Sequence, residues 1–247
     1  MSTSVAVVGG SGRLGTVVVD VINQMADFEL HSTLGSSSDL ADLAGADIVV
    51  DVTTPASSEQ VVRAALGAGA KVLVGTSGWS ADRLSGLEKT LEEMPDSAVM
   101  VVPNFSVGSV VGVALAKIAA RYFDSIEIIE SHHQHKIDSP SGTARSTAEQ
   151  LSQVRANRGG VVSPHTNQTA RGEEIGGIPV HSLRLAGVVA KQEVVFGGVA
   201  ETLTITHDTQ SSDAYRFGIE LALRSLGDQR GLVVGLHNAL DLGGDTL

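Results

Sequence analysis

The sequence predicts an α/β protein with a parallel sheet in its first part and a smaller α+β domain with a mixed sheet in its second. Up to Asn104, short continuous apolar runs alternate with helical patterns, as expected of strands that are buried on both faces. Beyond Asn104, strand-like runs follow one another with short turns such as Phe196-Gly197-Gly198. Consecutive strands joined by short turns favour antiparallel neighbours.

The strands and helices of the first part are read from these runs in chain order. Strand–helix alternation at this spacing is typical of a doubly wound parallel sheet. The predicted strands are Val5–Val8, Phe28–Leu34, Ile48–Val52, Val72–Val74 and Val99–Val102. The predicted helices are Leu14–Met25, Ser57–Leu66 and Ala81–Glu93.

The second part has fewer and less regular elements. Residues 159–179 are rich in Gly, Thr, Asn and Gln and are interpreted as a long mobile loop. We expect a first domain of residues 1–104 and 213–247 and a second domain of residues 105–212. The predicted helices are Ser109–Tyr122, Thr143–Arg158 and Asp213–Leu226, and the predicted strands are Ile126–Glu130, Val180–Leu185, Val188–Phe196 and Glu201–His207.

Composition narrows the functional classes. The 247 residues include no cysteine, which excludes disulfides and cysteine nucleophiles and favours a reducing cytoplasm. The formal net charge of −11, without any run of Lys or Arg, argues against a nucleic-acid partner. No apolar run reaches the length of about 20 residues that a membrane span needs. The N-terminus has no positively charged segment, so no secretory signal is expected.

A glycine-rich turn follows the first predicted strand. Gly9, Gly12 and Gly15 give the spacing GxxGxxG, which allows a tight turn, close approach of backbone N–H groups to a pyrophosphate and close helix–sheet packing. A glycine-rich turn without ligand is the alternative, but a strand before it and a helix after it favour a Rossmann dinucleotide-binding domain. Arg13, at the helix start, either contacts a phosphate or is a solvated helix residue.

The nucleotide preference stays open. An acidic residue about 20 positions beyond the last glycine normally binds the ribose 2′-hydroxyl of NAD. Counting from Gly15 leads to Gly35-Ser36-Ser37-Ser38, which has neither a carboxylate nor an arginine. NADH and NADPH are therefore both candidate cofactors. Two later strand ends, Gly75–Ser77 and Pro103–Ser106, belong to the same sheet edge, although each alone would be interpreted as an ordinary turn.

A polar stretch from Glu130 to Ala144 contains the candidate catalytic and substrate-binding residues. His132, His133, His135 and Lys136 follow a strand, and imidazole and ammonium groups can exchange protons near neutral pH. Gly142 and Thr143 then begin a helix whose backbone N–H groups can bind an anion. These features predict a pocket for a small carboxylate substrate that is protonated during reaction. A solvated loop with a helix cap is the alternative, and no metal site is expected because metal-ligand spacing is lacking.

The pattern Glu-x-His-His-x-x-Lys-x-Asp-x-Pro-Ser-Gly-Thr-Ala, which begins at Glu130, closely resembles the signature of the 4-hydroxy-tetrahydrodipicolinate reductase family. Other motifs similar to those of the family occur in the same order, so that the resemblance covers nearly the whole chain. They are Gly9–Gly15, Asp51–Pro55, Gly75–Ser77 and Pro103–Ser106.

The resemblance implies reduction of (2S,4S)-4-hydroxy-2,3,4,5-tetrahydrodipicolinate by NADH or NADPH, with release of water, in lysine and diaminopimelate synthesis. It implies a homotetramer assembled through the sheets of the second domain. His132 would be the proton donor or acceptor and Lys136 a second proton donor, and the substrate carboxylates would bind His133, Gly142 and Thr143. The implied cofactor contacts are Gly9, Gly10, Ser11, Gly12, Arg13, Leu14, Gly75, Thr76, Ser77, Val102, Pro103, Asn104 and Phe105.

Three further expectations complete the sequence interpretation. Hydride transfer should occur in a cleft between the domains, with hinges near Ser106 and Ser212. Arg171-Gly172 is a candidate anion contact. A related amino-acid or imine dehydrogenase and a nucleotide-sensing regulatory protein are the alternative functions.

Overall fold

The computed structural model describes residues 2–242, which form two compact units. The first unit contains the chain up to Val107 together with Ser212–Asp241, and the second contains Gly108–Ser211 and Leu242, a residue that the sequence assigns to the first domain. Met1 and residues 243–247, which the sequence assigns to the first domain, lie outside the described residues. Within residues 2–242, no helix is long and apolar enough to cross a membrane.

The helices and strands alternate along the first unit and become less regular in the second. In chain order, the strands are β1 (Thr3–Val8), β2 (Phe28–Leu34), β3 (Ile48–Asp51), β4 (Lys71–Val74), β5 (Ala98–Val101), β6 (Ser125–His133), β7 (Glu173–Ile175), β8 (Ile178–Leu185), β9 (Ala190–Gly198), β10 (Glu201–Thr209) and β11 (Gly231–Val234). The α-helices are α1 (Arg13–Gln24), α2 (Ser58–Gly67), α3 (Ala81–Glu92), α4 (Val107–Ala120), α5 (Gly142–Val154) and α6 (Arg216–Leu226).

The first unit is built on a parallel sheet with the strand order β11-β5-β4-β3-β1-β2. Every residue of β3 and β5 is buried, which explains why β5 and the first three residues of β3 are continuous apolar runs rather than alternating ones. On α1, the buried residues Val17, Val18, Val21 and Ile22 form one stripe at helical spacing. The predicted parallel sheet is confirmed.

The second unit is built on a mixed sheet with the strand order β10-β9-β6-β8-β7. The central strand β6 runs parallel to β8 and antiparallel to β9. Alternate residues of β6 are buried, so that Ile126, Ile128 and Glu130 point to the same face. Ile126 and Ile128 share a core with Leu151 of α5 and Phe196 of β9, and Glu130 continues their row. The predicted mixed sheet is confirmed.

The structure corrects the interpretation of residues 159–179 as one long loop. The segment contains a short 3-10 helix at Thr169–Arg171 and strand β7, which pairs antiparallel with β8. The signal was weak because β7 has three residues, two of them glutamates, and lies at the sheet edge. Gly176 and Gly177 form the turn to β8, and both have a positive φ that glycine adopts without strain.

Other boundaries differ by a few residues, and one strand was missed. Helix α5 ends at Val154 instead of residue 158, because Arg155 caps it and turns its guanidinium to carbonyl groups of Ala120 and Phe123. The predicted helix at 213–226 begins with a 3-10 turn, Ser212–Tyr215, before α6. Strand β11, which begins with a glycine, was not predicted from the sequence.

Candidate active site

The turn between β1 and α1 is held close to the neighbouring strand ends. Gly9 has a φ of +90°, and its N–H donates to the carbonyl oxygen of Leu34 at 2.8 Å. A Cβ at Gly9 would lie 2.5 Å from the carbonyl oxygen of Val52, and one at Gly10 would lie 2.3 Å from the Cγ2 of Thr33. Side chains are therefore excluded at both positions, and bare backbone lines this part of the turn.

The start of α1 is also shaped by glycine. A Cβ at Gly15 would lie 2.2 Å from the carbonyl oxygen of Gly9, so the helix packs directly on the turn. Gly12 is the N-cap, and no side chain caps the helix. Ser11, Gly12 and Arg13 are exposed, whereas Leu14 is half-buried. The uncapped N–H groups and the helix dipole make this end suitable for an anion such as a pyrophosphate.

The loop after β4 is fastened to the end of β3. Thr76 is only 5% exposed, and its hydroxyl accepts from the backbone N–H of Thr53 at 2.8 Å. The same hydroxyl lies 3.3 Å from the carbonyl oxygen of Asp51. The N–H of Gly75 also donates to that carbonyl oxygen at 2.8 Å. Thr76 thus braces the loop, and Ser77 next to it is exposed.

The segment after β5 is divided between core and surface. Val102 is fully buried, and Phe105 is 2% exposed, with its ring directly against Gly75. Pro103 is exposed and Asn104 is half-buried. The predicted cofactor residues after β4 and β5 are therefore brought together at one edge of the sheet, but Val102 and Phe105 are packing residues there.

A buried carboxylate beneath these loops was not singled out from the sequence. Asp51, at the end of β3, is fully buried. Its Oδ1 accepts from the N–H of Thr53 at 3.1 Å and from the hydroxyl of Thr53 at 2.6 Å, and its Oδ2 accepts from the hydroxyl of Ser58. The indole N–H of Trp79 donates to Ser58 at 2.9 Å. Asp51 thereby ties the end of β3 to α2 and to the loop before α3.

The end of β2, where a ribose would be recognised, presents hydroxyl groups. The N–H of Gly35 donates to the Oγ of Ser38 at 3.0 Å. The next carboxylate, Asp39, accepts from the N–H of Ala41 at 2.9 Å and so caps the following 3-10 helix. Gly35–Ser38 itself carries no charged side chain.

In the second unit, β6 extends to His133, three residues beyond its predicted end. Glu130 and His132 are two residues apart in this strand and point to the same face. The Nδ1 of His132 lies 2.5 Å from the Oε2 of Glu130. The side chain of His132 is 17% exposed and that of Glu130 is fully buried. The buried carboxylate of Glu130 thus holds the imidazole of His132, while part of the ring remains exposed to solvent.

Glu130 is surrounded by donors. Arg184 of β8 donates to both carboxylate oxygens at 2.9 Å, and the N–H of Ser141 donates to Oε1 at 3.1 Å. Burial by itself raises the pKa of Glu130, but hydrogen bonds from His132, Arg184 and Ser182 outweigh it and lower the pKa to about 2. The carboxylate is therefore ionised at neutral pH. Arg184 was not identified from the sequence.

The loop after β6 brings Lys136 back toward this cluster. The N–H of Lys136 donates to the carbonyl oxygen of His133 at 3.0 Å, and its ammonium lies 2.7 Å from the Oδ1 of Asp138. The hydrogen bond from Lys136 lowers the pKa of the Asp138 carboxyl group below its ordinary value. Arg184 donates to the carbonyl oxygen of Asp138 at 2.6 Å. One guanidinium therefore contacts both the His132 side and the Lys136 side of the cluster.

Helix α5 begins beside Glu130. Ser141 is its N-cap and accepts from the N–H of Ala144 at 3.2 Å. Gly142 is exposed, and a Cβ there would meet no atom within 4 Å, so space remains in front of this helix end. Thr143 and His133 are half-buried. Gly142 and Thr143 thus form a helix N-terminus beside Glu130, which favours an anion, whereas His133 follows His132 in β6 and points to the other face of the sheet.

Arg171, a candidate anion contact in the sequence, is paired with a carboxylate of the same unit. Its guanidinium lies 2.5 Å from the Oε1 of Glu127, whose other oxygen accepts from His181 at 2.8 Å. Glu127 and Glu130 are three residues apart in β6 and therefore point to opposite faces of the sheet. Arg171 is thus engaged on the face away from His132. Among the described residues, no group of three or more His, Cys, Asp or Glu is placed to hold a metal ion.

Comparison with known proteins identifies the family. The model of "Dihydrodipicolinate reductase, N-terminus" matches residues 3–105, and that of "Dihydrodipicolinate reductase, C-terminus" matches residues 108–240. The chain belongs to the dihydrodipicolinate reductase family. The resemblance stated from the sequence motifs is therefore confirmed.

Relatives of this reductase family match over nearly the full chain. The 4-hydroxy-tetrahydrodipicolinate reductase of Clavibacter michiganensis is 53% identical over 99% of this chain and 88% of its own length. That of Streptomyces griseus is 42% identical over 96% of this chain and 98% of its own length. A dipicolinate-bound dihydrodipicolinate reductase from Paenisporosarcina sp. TG-14 superposes with a TM-score of 0.82 and 28% identity, covering 97% of this chain and all of the other.

Proposed function

We propose that this chain reduces (2S,4S)-4-hydroxy-2,3,4,5-tetrahydrodipicolinate to 2,3,4,5-tetrahydrodipicolinate at the expense of NADH or NADPH. Water is released, and the product serves lysine and diaminopimelate synthesis. Membership of the family supports the reaction. The observation that carries the proposal is the cluster in which Glu130 binds His132, while Lys136 and the start of α5 lie in the same loop region.

The glycine turn fits a dinucleotide. Side chains are excluded at Gly9, Gly10 and Gly15, and α1 begins without a side-chain cap. This is the cradle that a pyrophosphate needs, because backbone N–H groups then reach its oxygens. When bound, the nicotinamide would supply the hydride. We propose that Gly9 to Leu14 hold the phosphates and that Gly75–Ser77, Pro103 and Asn104 line the nicotinamide side, with Val102 and Phe105 packed behind them.

We propose that the chain accepts both NADH and NADPH. A carboxylate at the end of β2 would bind the 2′-hydroxyl of NADH and repel the 2′-phosphate of NADPH. Gly35–Ser38 has no carboxylate, and Asp39 is engaged in capping the next helix. Hydroxyl groups can donate to either form of the ribose. Direct titration of the purified protein with each nucleotide tests this preference.

The second unit supplies the groups for a dicarboxylate. We propose that Lys136, His133 and the N-terminal residues of α5, Gly142 and Thr143, bind its carboxylates. A cation and helix N–H groups are the partners that carboxylates take in proteins. The open space at Gly142 leaves room for a carboxylate at the helix end.

We propose that His132 and Lys136 handle the protons of the reaction. Loss of the hydroxyl as water needs one proton donated to the hydroxyl and one removed from the neighbouring carbon. Hydride addition then needs a proton at the atom that gains the electrons, so that one hydride and one proton are taken up in all. Imidazole can donate or accept near neutral pH, and the ammonium of Lys136 can donate. His132 is partly exposed, so its ring can reach a bound molecule.

We further propose a cytoplasmic homotetramer assembled through the sheet of the second unit. The core of this unit covers one face of the sheet. Leu183 and Leu185 of β8 alternate with the inward-facing Arg184 and are 42% and 47% exposed. A second copy of the same sheet would cover such side chains. Sedimentation of the purified protein tests the oligomeric state.

The test of the reaction is oxidation of NADH or NADPH in the presence of the product of the preceding synthase. We expect His132→Gln and Lys136→Ala each to lower kcat by about 10²–10⁴-fold with nearly unchanged nucleotide affinity. His135→Gln is the matched control, since His135 lies in the same loop and is exposed. Wild-type protein that oxidises neither nucleotide would refute the function, and equal losses in the control would refute the assigned residues.

A further inference from the structure

We propose that Glu130 and Arg184 are positioning residues that hold His132 in one tautomer and one ring orientation, so that its Nε2 is the atom that exchanges a proton with the substrate. The inference rests on the proposed function for the role of His132. It adds residues to which the sequence motif gave no role.

The tautomer follows from the chemistry of the carboxylate. Glu130 is fully buried and its Oε2 lies 2.5 Å from the Nδ1 of His132. An ionised carboxylate can only accept hydrogen bonds, so Nδ1 must carry the proton of this bond. The pKa of Glu130 lies at about 2, which keeps the carboxylate ionised near neutral pH. The Nε2 is then the ring nitrogen that is left for proton exchange.

The orientation follows from the number of donors. Oε2 accepts from His132 and Arg184, and Oε1 accepts from Arg184 and from the N–H of Ser141. The guanidinium binds both oxygens in the bidentate geometry that fixes the plane of a carboxylate. A carboxylate held from the adjacent strand and from α5 cannot turn to follow the imidazole. The imidazole must instead adopt the orientation that the carboxylate sets.

Arg184 extends this control to the second proposed proton donor. Its Nη2 donates to the carbonyl oxygen of Asp138, and the side chain of Asp138 lies 2.7 Å from the ammonium of Lys136. His132 of β6 and Arg184 of β8 are also directly opposite each other in the sheet register. One guanidinium therefore fixes the positions of His132 and Lys136 relative to one another.

The groups that face Glu130 come from each element around it. They are His132 of β6, Arg184 and Ser182 of β8, and the backbone N–H of Ser141 before α5. A purely structural ion pair would not need the imidazole, because Arg184 and Ser141 already give both oxygens a partner. The hydrogen bond to His132 is the part of the arrangement that a positioning role explains.

The test compares Glu130→Gln with the control Glu173→Gln, which removes an arginine-bound glutamate from the surface of the same unit. Protein labelled with ¹⁵N-histidine is studied without substrate or nucleotide, and the His132 signals are assigned by their loss in His132→Gln. In wild type we expect an Nδ1–H tautomer with a far-downfield proton. In Glu130→Gln this proton should move upfield, whereas Glu173→Gln should leave it unchanged.

Kinetics supply the second readout. We expect Glu130→Gln to lower kcat by about 10–100-fold with little change in KM, as is typical when the partner of an active imidazole is removed. Arg184→Lys keeps a positive charge but cannot bind both oxygens and Asp138, so we expect a smaller loss of kcat of about tenfold. Arg184→Lys also tests the positioning role by its effect on kcat and KM if Glu130→Gln does not fold.

The outcomes separate the two proposals. An Nε2–H tautomer in wild type, or an unchanged Nδ1–H signal in Glu130→Gln, overturns the positioning role. A loss confined to KM overturns it as well. Absence of turnover in wild type overturns the proposed function, while the imidazole signals still decide whether Glu130 sets the tautomer.

Discussion

Among residues 2–242, each unit buries one carboxylate completely, and the two carboxylates are satisfied in different ways. Asp51 of the first unit accepts from neutral groups only, the N–H and hydroxyl of Thr53 and the hydroxyl of Ser58. Glu130 of the second unit accepts from the guanidinium of Arg184 and from His132. The partners, and not the burial, therefore distinguish the tasks of the two acids.

Neutral donors fix geometry without placing a charge near a reacting group. Asp51 holds loops together, because Thr53 also donates to Thr76 and Ser58 also accepts from Trp79. Glu130 is linked to a titratable ring and to a cation, so its charge acts on the groups proposed for proton transfer. A buried acid can thus serve as a brace in one unit and as an electrostatic partner in the other.

The largest expected effect comes from replacing Glu130 by its amide, and the matching change at Asp51 should cost much less. Glu130→Gln leaves the guanidinium of Arg184, whose side chain is 20% exposed, without its counter-charge, which should lower the free energy of unfolding by about 3 kcal/mol. Asp51→Asn should cost about 1 kcal/mol, because the hydroxyl of Ser58 can rotate to accept from the new amide. Urea unfolding at neutral pH measures both.

Glu173→Gln is the control for this comparison. Its partner Arg145 is 45% exposed, and exposed ion pairs contribute about 0–1 kcal/mol. We therefore expect a change within that range. If Asp51→Asn destabilised the protein as much as Glu130→Gln, the distinction between neutral and charged partners would be wrong.

The second prediction concerns acid. The pKa of Glu130 is lowered from 4.5 to about 2, so its charge stabilises the folded state fully above pH 4.5. This contribution, about 3 kcal/mol for a shift of this size, is lost as the pH falls toward 2. The gap in unfolding free energy between wild type and Glu130→Gln should therefore narrow between pH 5 and 2. A gap that stays constant over this range would contradict the charged state of Glu130.

The contrast between the units also shows how far sequence patterns reach. The parallel sheet was predicted because its strands are continuous apolar runs, as in β5 with Ala98–Val101. In the second unit, His132 was recognised from its motif, but its partner Arg184 was not. The two lie far apart in the chain and meet only because β6 pairs in parallel with β8. A motif contains local spacing, whereas strand register is a property of the folded sheet.

The glutamate at position 130 illustrates the same limit. It stood inside the motif, yet the predicted strand ended there, which would have placed His132 in a loop. Because β6 continues to His133, the alternation of the strand puts Glu130 and His132 on one face. Similarly, Asp51 was part of a recognised motif, but Trp79, which donates to the Asp51 partner Ser58, belongs to a different loop. The sequence motif identified Asp51 as a position, but its hydrogen-bond contacts could not be predicted from the sequence.

The smallest expected effect tests the neutral network. Ser58→Ala removes a donor to Asp51 and the acceptor of the Trp79 indole, which should lower the free energy of unfolding by about 1 kcal/mol. Trp79 is the one tryptophan of the chain, so its emission should shift when its N–H loses this partner. Ser57→Ala is the control, since Ser57 is exposed and contacts only the hydroxyl of Thr54 through its side chain in the described bonds. An unchanged emission spectrum in Ser58→Ala would show that the Trp79 indole does not depend on Ser58. A loss of unfolding free energy as large as that of Glu130→Gln would mean that neutral partners stabilise a buried carboxylate as strongly as charged ones do.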